Sequence, residues 1–299
     1  MTGREPLFRG SGVALVTPFD EAGVNAAGLT ELVRFHIEEG TDALIVCGST
    51  GEAATMTPEE QARAVEVVAG EAAGEIPVVA GCGGSDTAAV AGLARSARSA
   101  GADALLLSAP PYNKPPQRGL VAHFRAVMEA GDLPVILYNV PGRTAVPVEP
   151  ETVAKLAEDP RVVGVKEACG DLSRIADLAA LVGHRIALWS GNDDQILPIL
   201  SLGGAGVISV LGNVAPADTS RMVHAYLEGD TTTATDLQLR YLPLIRALFA
   251  VSNPIPVKTL TGWLGFDVGP LRLPLVPLSE EERKALIETA RAAGLEPRR

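Results

Sequence analysis

The chain has 299 residues, of which 47% are apolar and 20% are charged, a composition typical of a soluble globular protein with a large core. The formal net charge of −11 argues against a nucleic-acid or anionic-membrane partner, because both require basic patches. No apolar stretch reaches the roughly 20 residues of a bilayer span, and the N-terminus lacks an apolar signal core, so we expect a cytoplasmic protein.

Short runs rich in Val, Ile, Leu and Ala recur along the first part of the chain and predict β-strands. Eight such runs occur, at residues 13–16, 43–46, 77–80, 104–107, 135–138, 162–166, 186–189 and 206–210. Each run is almost continuously apolar, as expected for strands of a parallel sheet that is covered on both faces.

Amphipathic stretches between these runs predict helices, for example at residues 57–73, 86–100, 117–130 and 150–157. Thr57-Pro58-Glu59-Glu60 carries a capping residue followed by Pro at the first helical position. Gly40, Gly101 and Gly131 follow predicted helices, where a left-handed helix stop is favoured.

Eight strands that alternate with helices over about 210 residues predict an α/β fold, specifically a closed (β/α)8 TIM barrel. A doubly wound sheet is the less favoured alternative, since the strands are evenly spaced and no nucleotide fingerprint is present. Later segments at 216–228, 233–251, 256–264 and 280–293 are helical in pattern. We therefore expect a catalytic barrel at residues 1–230 and a C-terminal helical extension at residues 231–299.

Lys166 is the most unusual residue, because it ends the apolar run Val162-Val163-Gly164-Val165 in a chain with only five lysines. A buried ammonium is costly unless it is paired or loses its charge. A desolvated lysine near neutrality is an amine nucleophile that can condense with a carbonyl. The alternative is a structural lysine paired with Glu167, and Lys166 alone does not decide between the two.

Polar residues follow several other strands, at the end of the barrel where active sites form. They are Ser49 and Thr50 after the second strand, Tyr112 after the fourth, Tyr138 and Arg143 at the fifth and Gly191 at the seventh. A phenol can pass protons, and hydroxyls, backbone N–H groups and an arginine can hold carboxylates. Each also has a structural explanation: a capped turn, a loop anchor or a surface arginine.

No residue pattern predicts a metal or a nucleotide cofactor. Cys47, Cys82 and Cys169 match neither a disulfide framework nor a zinc spacing, and the four histidines are scattered. Neither GxGxxG nor GxxxxGK[ST] occurs. The residues therefore favour carbonyl chemistry on an oxo-acid through a lysine imine, with no separate cofactor.

Longer motifs give a family resemblance. Gly48-Ser49-Thr50-Gly51-Glu52, Tyr138-Asn139-Val140-Pro141-Gly142-Arg143-Thr144, Val165-Lys166-Glu167-Ala168, Asn253-Pro254-Ile255-Pro256-Val257-Lys258 and Leu271-Arg272-Leu273-Pro274 resemble motifs of the dihydrodipicolinate synthase / N-acetylneuraminate lyase family. The resemblance runs from about Gly10 to Leu295. It implies a class I aldolase-type barrel in which Lys166 forms a Schiff base with pyruvate.

The resemblance also implies roles for single residues. Tyr138 is then the proton-transfer phenol, and Ser49 and Tyr112 complete a proton relay, with Tyr112 reaching into the site of a neighbouring subunit. Thr50 holds the pyruvate carboxylate, and Arg143 binds the carboxylate of the second substrate, aspartate semialdehyde. Gly191 and Ile208 line the pocket through their main chains. The implied assembly is a homotetramer of two tight dimers.

Two branches of the family remain open at this point. Arg143, Lys166-Glu167-Ala168 and the motif that begins at Asn253 resemble the synthases, whereas Ser49 stands where synthases usually carry threonine. A pyruvate-dependent aldolase acting on an oxo-sugar acid, N-acetylneuraminate or 4-hydroxy-2-oxoglutarate is the enzymatic alternative. A catalytically silent oxo-acid-binding regulator is the alternative of another class.

A regulatory expectation follows from the same resemblance. Family members that lysine inhibits usually carry His or Glu and an aromatic residue in a cleft between subunits. The matching positions here hold Ala53, Pro58, Gln61, Ser85, Ala89 and Pro111. We therefore expect free lysine to inhibit weakly or not at all.

Overall fold

The structure, a computed structural model, describes residues 4–298. Its strands, in chain order, are β1 Gly10–Ala14, β2 Phe19–Asp20, β3 Gly23–Val24, β4 Ala43–Val46, β5 Val78–Cys82, β6 Ala104–Ser108, β7 Val135–Asn139, β8 Val162–Glu167, β9 Ala187–Ser190 and β10 Gly206–Ser209. Its α-helices are α1 Ala26–Glu38, α2 Pro58–Ala72, α3 Thr87–Ser99, α4 Gln117–Gly131, α5 Pro141–Thr144, α6 Pro150–Leu156, α7 Leu172–Val182, α8 Ile196–Ser201, α9 Pro216–Leu227, α10 Thr231–Leu248, α11 Ile255–Trp263 and α12 Glu280–Ala292.

Eight parallel strands close into a barrel in the order β1-β10-β9-β8-β7-β6-β5-β4, which confirms the predicted fold class. The first strand begins at Gly10 rather than at residue 13. Gly10, Ser11 and Gly12 carry no apolar side chain, so a search for apolar runs misses them, although they pair with β10. The antiparallel pair β2-β3 lies outside the barrel and was not predicted.

Successive residues of each barrel strand contribute to two separate cores, as the alternation of side chains along a strand requires. In β4, Leu44 and Val46 belong to the core between the barrel and the helices, whereas Ile45 belongs to the core inside the barrel. In β8 the same alternation puts Val165 in the outer core. Lys166 therefore points into the barrel and Glu167 points away from its interior.

Helix signals were correctly predicted at the start of α2 and wrongly at the end of α4. Thr57 and Glu60 form a reciprocal capping box. Gly131 lies inside α4, and Asp132 takes the left-handed conformation with φ of 48°. A Cβ on Gly131 would come within 2.6 Å of a Leu105 methyl carbon, so this glycine permits close packing and does not end the helix.

Helices α10, α11 and α12 form the C-terminal extension. α10 contacts the 3₁₀ helix Asp193–Gln195 that follows β9, and α11 contacts the 3₁₀ helix Leu211–Asn213 that follows β10. The extension therefore packs against segments at the C-terminal ends of barrel strands. The division of the chain at residue 230 stays a prediction. In residues 4–298 no helix has both the length and the apolar character needed to cross a membrane.

Candidate active site

Lys166 lies on the inner face of β8, near the C-terminal end of the strand, and only 4% of its surface is exposed. Its backbone pairs in register with Tyr138 of β7 on one side and with Trp189 of β9 on the other. The side-chain nitrogen lies 4.5 Å from the centroid of the Tyr138 ring. The barrel thus presents an amine next to a phenol in a site that is largely closed to water.

Burial lowers the pKa of Lys166 to about 7, since desolvation disfavours the ammonium form. The carboxylate of Asp193 acts in the opposite direction, and the positive charge of Arg143 lowers the pKa further. Among residues 4–298 no carboxylate lies within 4.0 Å of the Lys166 nitrogen. Near neutrality a large fraction of this lysine is therefore the uncharged amine.

Glu167 does not pair with Lys166, in contrast to the structural alternative for this lysine. Both of its carboxylate oxygens accept hydrogen bonds from the Asn139 side-chain amide, at 3.0 and 2.9 Å. The Cys169 backbone N–H donates a third bond at 2.7 Å. Neighbouring residues of a strand point to opposite faces, so an ion pair between residues 166 and 167 would conflict with the geometry of β8.

Tyr138 keeps its proton at neutral pH. Burial raises the pKa of its phenol to about 12, the charge of Arg143 lowers it and the charge of Glu167 raises it. A neutral phenol beside a partly neutral amine is a matched proton donor and acceptor.

The turn after β4 contains Ser49 and Thr50. Thr50 is buried, and its hydroxyl accepts a hydrogen bond from the Asn253 side-chain amide at 2.9 Å. The Gly51 N–H donates to the Gly48 carbonyl at 3.1 Å, which closes the turn. Within residues 4–298 the backbone N–H groups of Ser49 and Thr50 have no acceptor. The turn therefore offers free backbone donors together with a hydroxyl, a combination suited to a carboxylate.

Arg143 projects from the short helix α5, directly after the strand that carries Tyr138. One of its terminal nitrogens donates to the Asn253 carbonyl at 2.9 Å. This single bond leaves the remaining guanidinium donors available for a second carboxylate.

Asp193, in the 3₁₀ helix after β9, is buried and fully hydrogen-bonded. Its carboxylate accepts bonds from the Ser209 hydroxyl at 2.6 Å and from the backbone N–H groups of Val210 and Leu211 at 3.0 and 2.9 Å. Burial raises its pKa, and these bonds and the charge of Lys166 lower it. Asp193 thus supplies the negative charge that opposes the loss of the Lys166 proton.

A cavity of about 70 Å³ brings six of the predicted site residues together: Ser49, Thr50, Tyr138, Arg143, Lys166 and Gly191. Its size suits a molecule of very few heavy atoms. A Cβ on Gly191 would lie 3.1 Å from the Lys166 Cε carbon and 2.7 Å from the Ala168 Cβ. Glycine at this position therefore leaves room for the lysine side chain.

Two predicted residues do not line this cavity. Ile208 lies in the core inside the barrel, in the same apolar cluster as Tyr138. Tyr112 is 88% exposed, on a loop where its backbone takes the left-handed conformation with φ of 71°. Its loop is tied to Ser85, whose hydroxyl donates to the Pro111 carbonyl at 3.1 Å.

A wider groove of about 840 Å³ adjoins the cavity and shares Ser49, Tyr138 and Arg143 with it. We call it the lateral groove. Its lining includes five of the six positions considered for lysine regulation: Ala53, Pro58, Gln61, Ala89 and Pro111. These side chains carry no ionised group.

The sequence analysis assigned no role to Asp193, Asn253 or Phe249. In the structure Asn253 and Phe249 line the cavity, and the charge of Asp193 acts on Lys166. An acidic residue three positions after the end of a buried strand was the available signal for Asp193. Asn253 stands before Pro254 inside a recognised motif, but its contact with Thr50 spans 203 positions and has no local signal. In residues 4–298 no three His, Cys, Asp or Glu side chains cluster as a metal site requires.

Comparisons with known proteins identify the family and agree with the barrel fold. The model of the dihydrodipicolinate synthetase family matches residues 7–293. A 4-hydroxy-tetrahydrodipicolinate synthase from Thermoanaerobacter sp. is 52% identical over 291 residues, which cover 97% of this chain and 98% of the relative.

Two crystal structures are similarly close. Dihydrodipicolinate synthase from Aquifex aeolicus has a TM-score of 0.94 and 41% identity, covering 98% of this chain and 100% of that one. The chloride-inhibited dihydrodipicolinate synthase from Acinetobacter baumannii, complexed with pyruvate, has a TM-score of 0.92 and 41% identity, covering 96% and 99%. The resemblance seen in the motifs is confirmed: the chain belongs to the dihydrodipicolinate synthetase family.

Proposed function

We propose that this chain condenses pyruvate with L-aspartate 4-semialdehyde, the reaction of a 4-hydroxy-tetrahydrodipicolinate synthase, a lyase of lysine and diaminopimelate biosynthesis. The observation that carries the proposal is a buried lysine with a pKa of about 7 beside a protonated tyrosine, in a small cavity with carboxylate-binding groups. Relatives that share about half of their residues with this chain bear the name of this activity.

Lys166 carries out the first covalent step. Its neutral amine attacks the keto carbon of pyruvate, and the oxygen of the resulting carbinolamine takes a proton from the Tyr138 phenol and leaves as water. The turn at Ser49 and Thr50 holds the pyruvate carboxylate through its free N–H groups and the Thr50 hydroxyl. The product of this step is a protonated imine, which draws electrons away from the pyruvate methyl group.

The Tyr138 phenolate left by the first step takes up one methyl proton, which converts the imine into an enamine, and the enamine attacks the aldehyde carbon of aspartate semialdehyde. A proton goes to the new alkoxide, and Tyr138 and Ser49 pass protons between the site and solvent. Arg143 binds the carboxylate of this second substrate. The substrate's own amine then attacks the imine carbon, displaces Lys166 and closes the ring. No separate cofactor is needed, because the lysine supplies the electron sink.

We propose a cytoplasmic homotetramer built from two tight dimers, in which Tyr112 completes the proton relay of a neighbouring subunit. The exposure of Tyr112 supports this proposal, because a phenol directed away from its own chain can reach a partner. The weakly polar lateral groove beside it offers a surface that a second copy could cover. Three unpaired cysteines agree with a reducing compartment.

The proposal is tested with labelled pyruvate, borohydride and a coupled assay. Borohydride should trap one pyruvate per chain on Lys166, and aspartate semialdehyde should be consumed in the presence of pyruvate. N-acetylneuraminate, 4-hydroxy-2-oxoglutarate and oxo-sugar acids should be poor substrates in parallel assays. Preferred cleavage of one of these acids would contradict the synthase activity. The absence of an adduct at Lys166 would favour a silent binding protein.

A further inference from the structure

A second buried lysine stands outside the cavity and forms an ion pair with Glu52. The Lys258 nitrogen lies 2.7 Å from a Glu52 carboxylate oxygen, and the two side chains are 2% and 0% exposed. Lys258 also donates to the Pro270 carbonyl at 2.8 Å, and the second Glu52 oxygen accepts from the Arg272 N–H at 3.0 Å. Moving two charges out of water costs about as much free energy as their mutual attraction returns. A gain in folding stability therefore does not by itself explain this buried ion pair.

Glu52 ends the turn that carries Ser49 and Thr50. Its backbone takes the left-handed conformation, with φ of 57° and ψ of 28°, which is uncommon for a residue with a Cβ. Its N–H donates to the Ser49 carbonyl at 3.2 Å, so the strained residue and the carboxylate-binding residues are parts of one turn. Strained backbone persists where surrounding contacts fix it, and the buried carboxylate bonds of Glu52 are such contacts.

The start of α11 holds the same turn at a second point. Asn253, just before the helix, donates its side-chain amide to the Thr50 hydroxyl, and Lys258 binds Glu52 from within the helix. Both contacts join positions more than 200 residues apart in the chain. The turn is thus clamped between barrel strand β4 and the C-terminal extension.

We infer that Glu52 and Lys258 are positioning residues that hold the turn at Ser49 and Thr50 in the shape that binds the oxo-acid carboxylate. The inference rests on the proposed function and extends it. Neither residue lines the cavity of about 70 Å³ that contains Lys166. Their ion pair fixes the direction of the free N–H groups, and a shift of about 1 Å in such a group can cost up to about a hundredfold in rate.

The test compares the double variant E52Q/K258M, which keeps the side-chain lengths but removes both charges, with K284M/E288Q. The control removes an exposed pair of the same residue types on α12. We expect the double variant to raise the KM for pyruvate about tenfold and to change the KM for aspartate semialdehyde by less than about threefold. The control should leave both constants unchanged. A double variant with an unchanged KM for pyruvate, or an equal rise in both constants, would overturn the inference.

Glu52→Asp covers the case in which the double variant does not fold. It keeps both charges but shortens the side chain by one methylene, so the turn must move or the ion pair must lengthen. We expect its KM for pyruvate to rise at least about threefold, and a wild-type value would also overturn the inference. Borohydride trapping with the unmodified enzyme is measured first, because failure there contradicts the proposed function and not the positioning role.

Discussion

Tyr138 and Lys166 are paired in register across strands β7 and β8, and the lysine nitrogen lies 4.5 Å from the centre of the tyrosine ring. Burial moves their pKa values in opposite directions, to about 12 for the phenol and to about 7 for the amine. The same desolvation therefore keeps the phenol neutral and makes the amine neutral. The pair combines a proton donor with a nucleophile without any third group.

The first prediction concerns the pH dependence of imine formation. Burial lowers the pKa of Lys166 to about 7, so protonation removes the reactive amine as the pH falls through about 7. Above a pH of about 8 most of the lysine is in the uncharged amine form. The rate of borohydride trapping at saturating pyruvate should rise with pH through this range. The variant K166M should show no adduct at any pH. An inflection near 10, the ordinary range of lysine, would contradict the assigned environment.

The second prediction concerns the Tyr138 hydroxyl. Tyr138→Phe keeps the ring in the inner core but removes the proton donor, so kcat should fall by about 10²- to 10⁴-fold. The adduct on Lys166 should still form, more slowly, because the amine is intact. Tyr226→Phe on α9, outside the cavity, is the matched control and should keep full activity. A kcat for Tyr138→Phe within about threefold of wild type would exclude the assigned role.

The third prediction separates the two carboxylate sites. Arg143→Ala should raise the KM for aspartate semialdehyde by about 30- to 100-fold, because the variant loses a hydrogen bond to a charged carboxylate. Borohydride should still trap pyruvate on Lys166. The charge of Arg143 also lowers the pKa of Lys166, so the inflection in trapping should move to higher pH. Arg125→Ala, on the exposed side of α4, serves as the control. Equal loss of both substrates would refute the role of Arg143.

The fold and the nucleophile could be predicted from local patterns. Apolar runs located the barrel strands, and a lysine within such a run identified Lys166. The same alternation excludes an ion pair between Lys166 and Glu167, a conclusion that the sequence already allowed. Gly131 was misassigned because a glycine near the end of a helix can serve either of two purposes. It can end the helix in the left-handed conformation, or it can leave room for a neighbouring side chain, and the sequence pattern is the same in both cases.

The groups that hold the site were less predictable, because their contacts are long-range. Asn253 reaches Thr50 and Arg143, and Lys258 reaches Glu52, only after the barrel has closed and α11 has packed against it. No periodicity connects positions so far apart in the chain. The proposed contact of Tyr112 with a neighbouring subunit likewise has no local sequence signal, because it depends on the surfaces of two folded chains.

The fourth prediction concerns regulation by lysine. The lateral groove presents Ala53, Pro58, Gln61 and Ala89, none of which can pair with the charges of a free amino acid. We expect activity to change by less than about twofold at millimolar lysine, because these four positions offer no charge that would compensate the desolvation of a charged ligand. Initial rates with lysine, and with arginine as the control ligand, test this expectation. Saturable inhibition that lysine shows and arginine lacks would contradict it.

The last prediction concerns the space next to the nucleophile. Gly191→Ala places a Cβ 2.7 Å from the Ala168 Cβ, 3.0 Å from the Glu167 carbonyl oxygen and 3.1 Å from the Lys166 Cε, so the end of β8 must shift together with the lysine that it carries. Overpacking of this kind costs about 1–3 kcal/mol, which lowers Tm by a few degrees without unfolding the barrel. Trapping of pyruvate should fall at least about tenfold, since the amine no longer meets the keto carbon in line.

Gly142→Ala is the matched control for this variant, because a Cβ on Gly142 meets no atom within 4 Å although the residue lies beside Arg143. It should keep both Tm and trapping. If Gly191→Ala lost only stability and trapped pyruvate at the wild-type rate, the side chain of Lys166 would have to reach its substrate along a path that this glycine does not border. If Gly191→Ala lost trapping while its secondary structure stayed unchanged, the result would show that the reactive amine works in the space between β8 and the turn after β9.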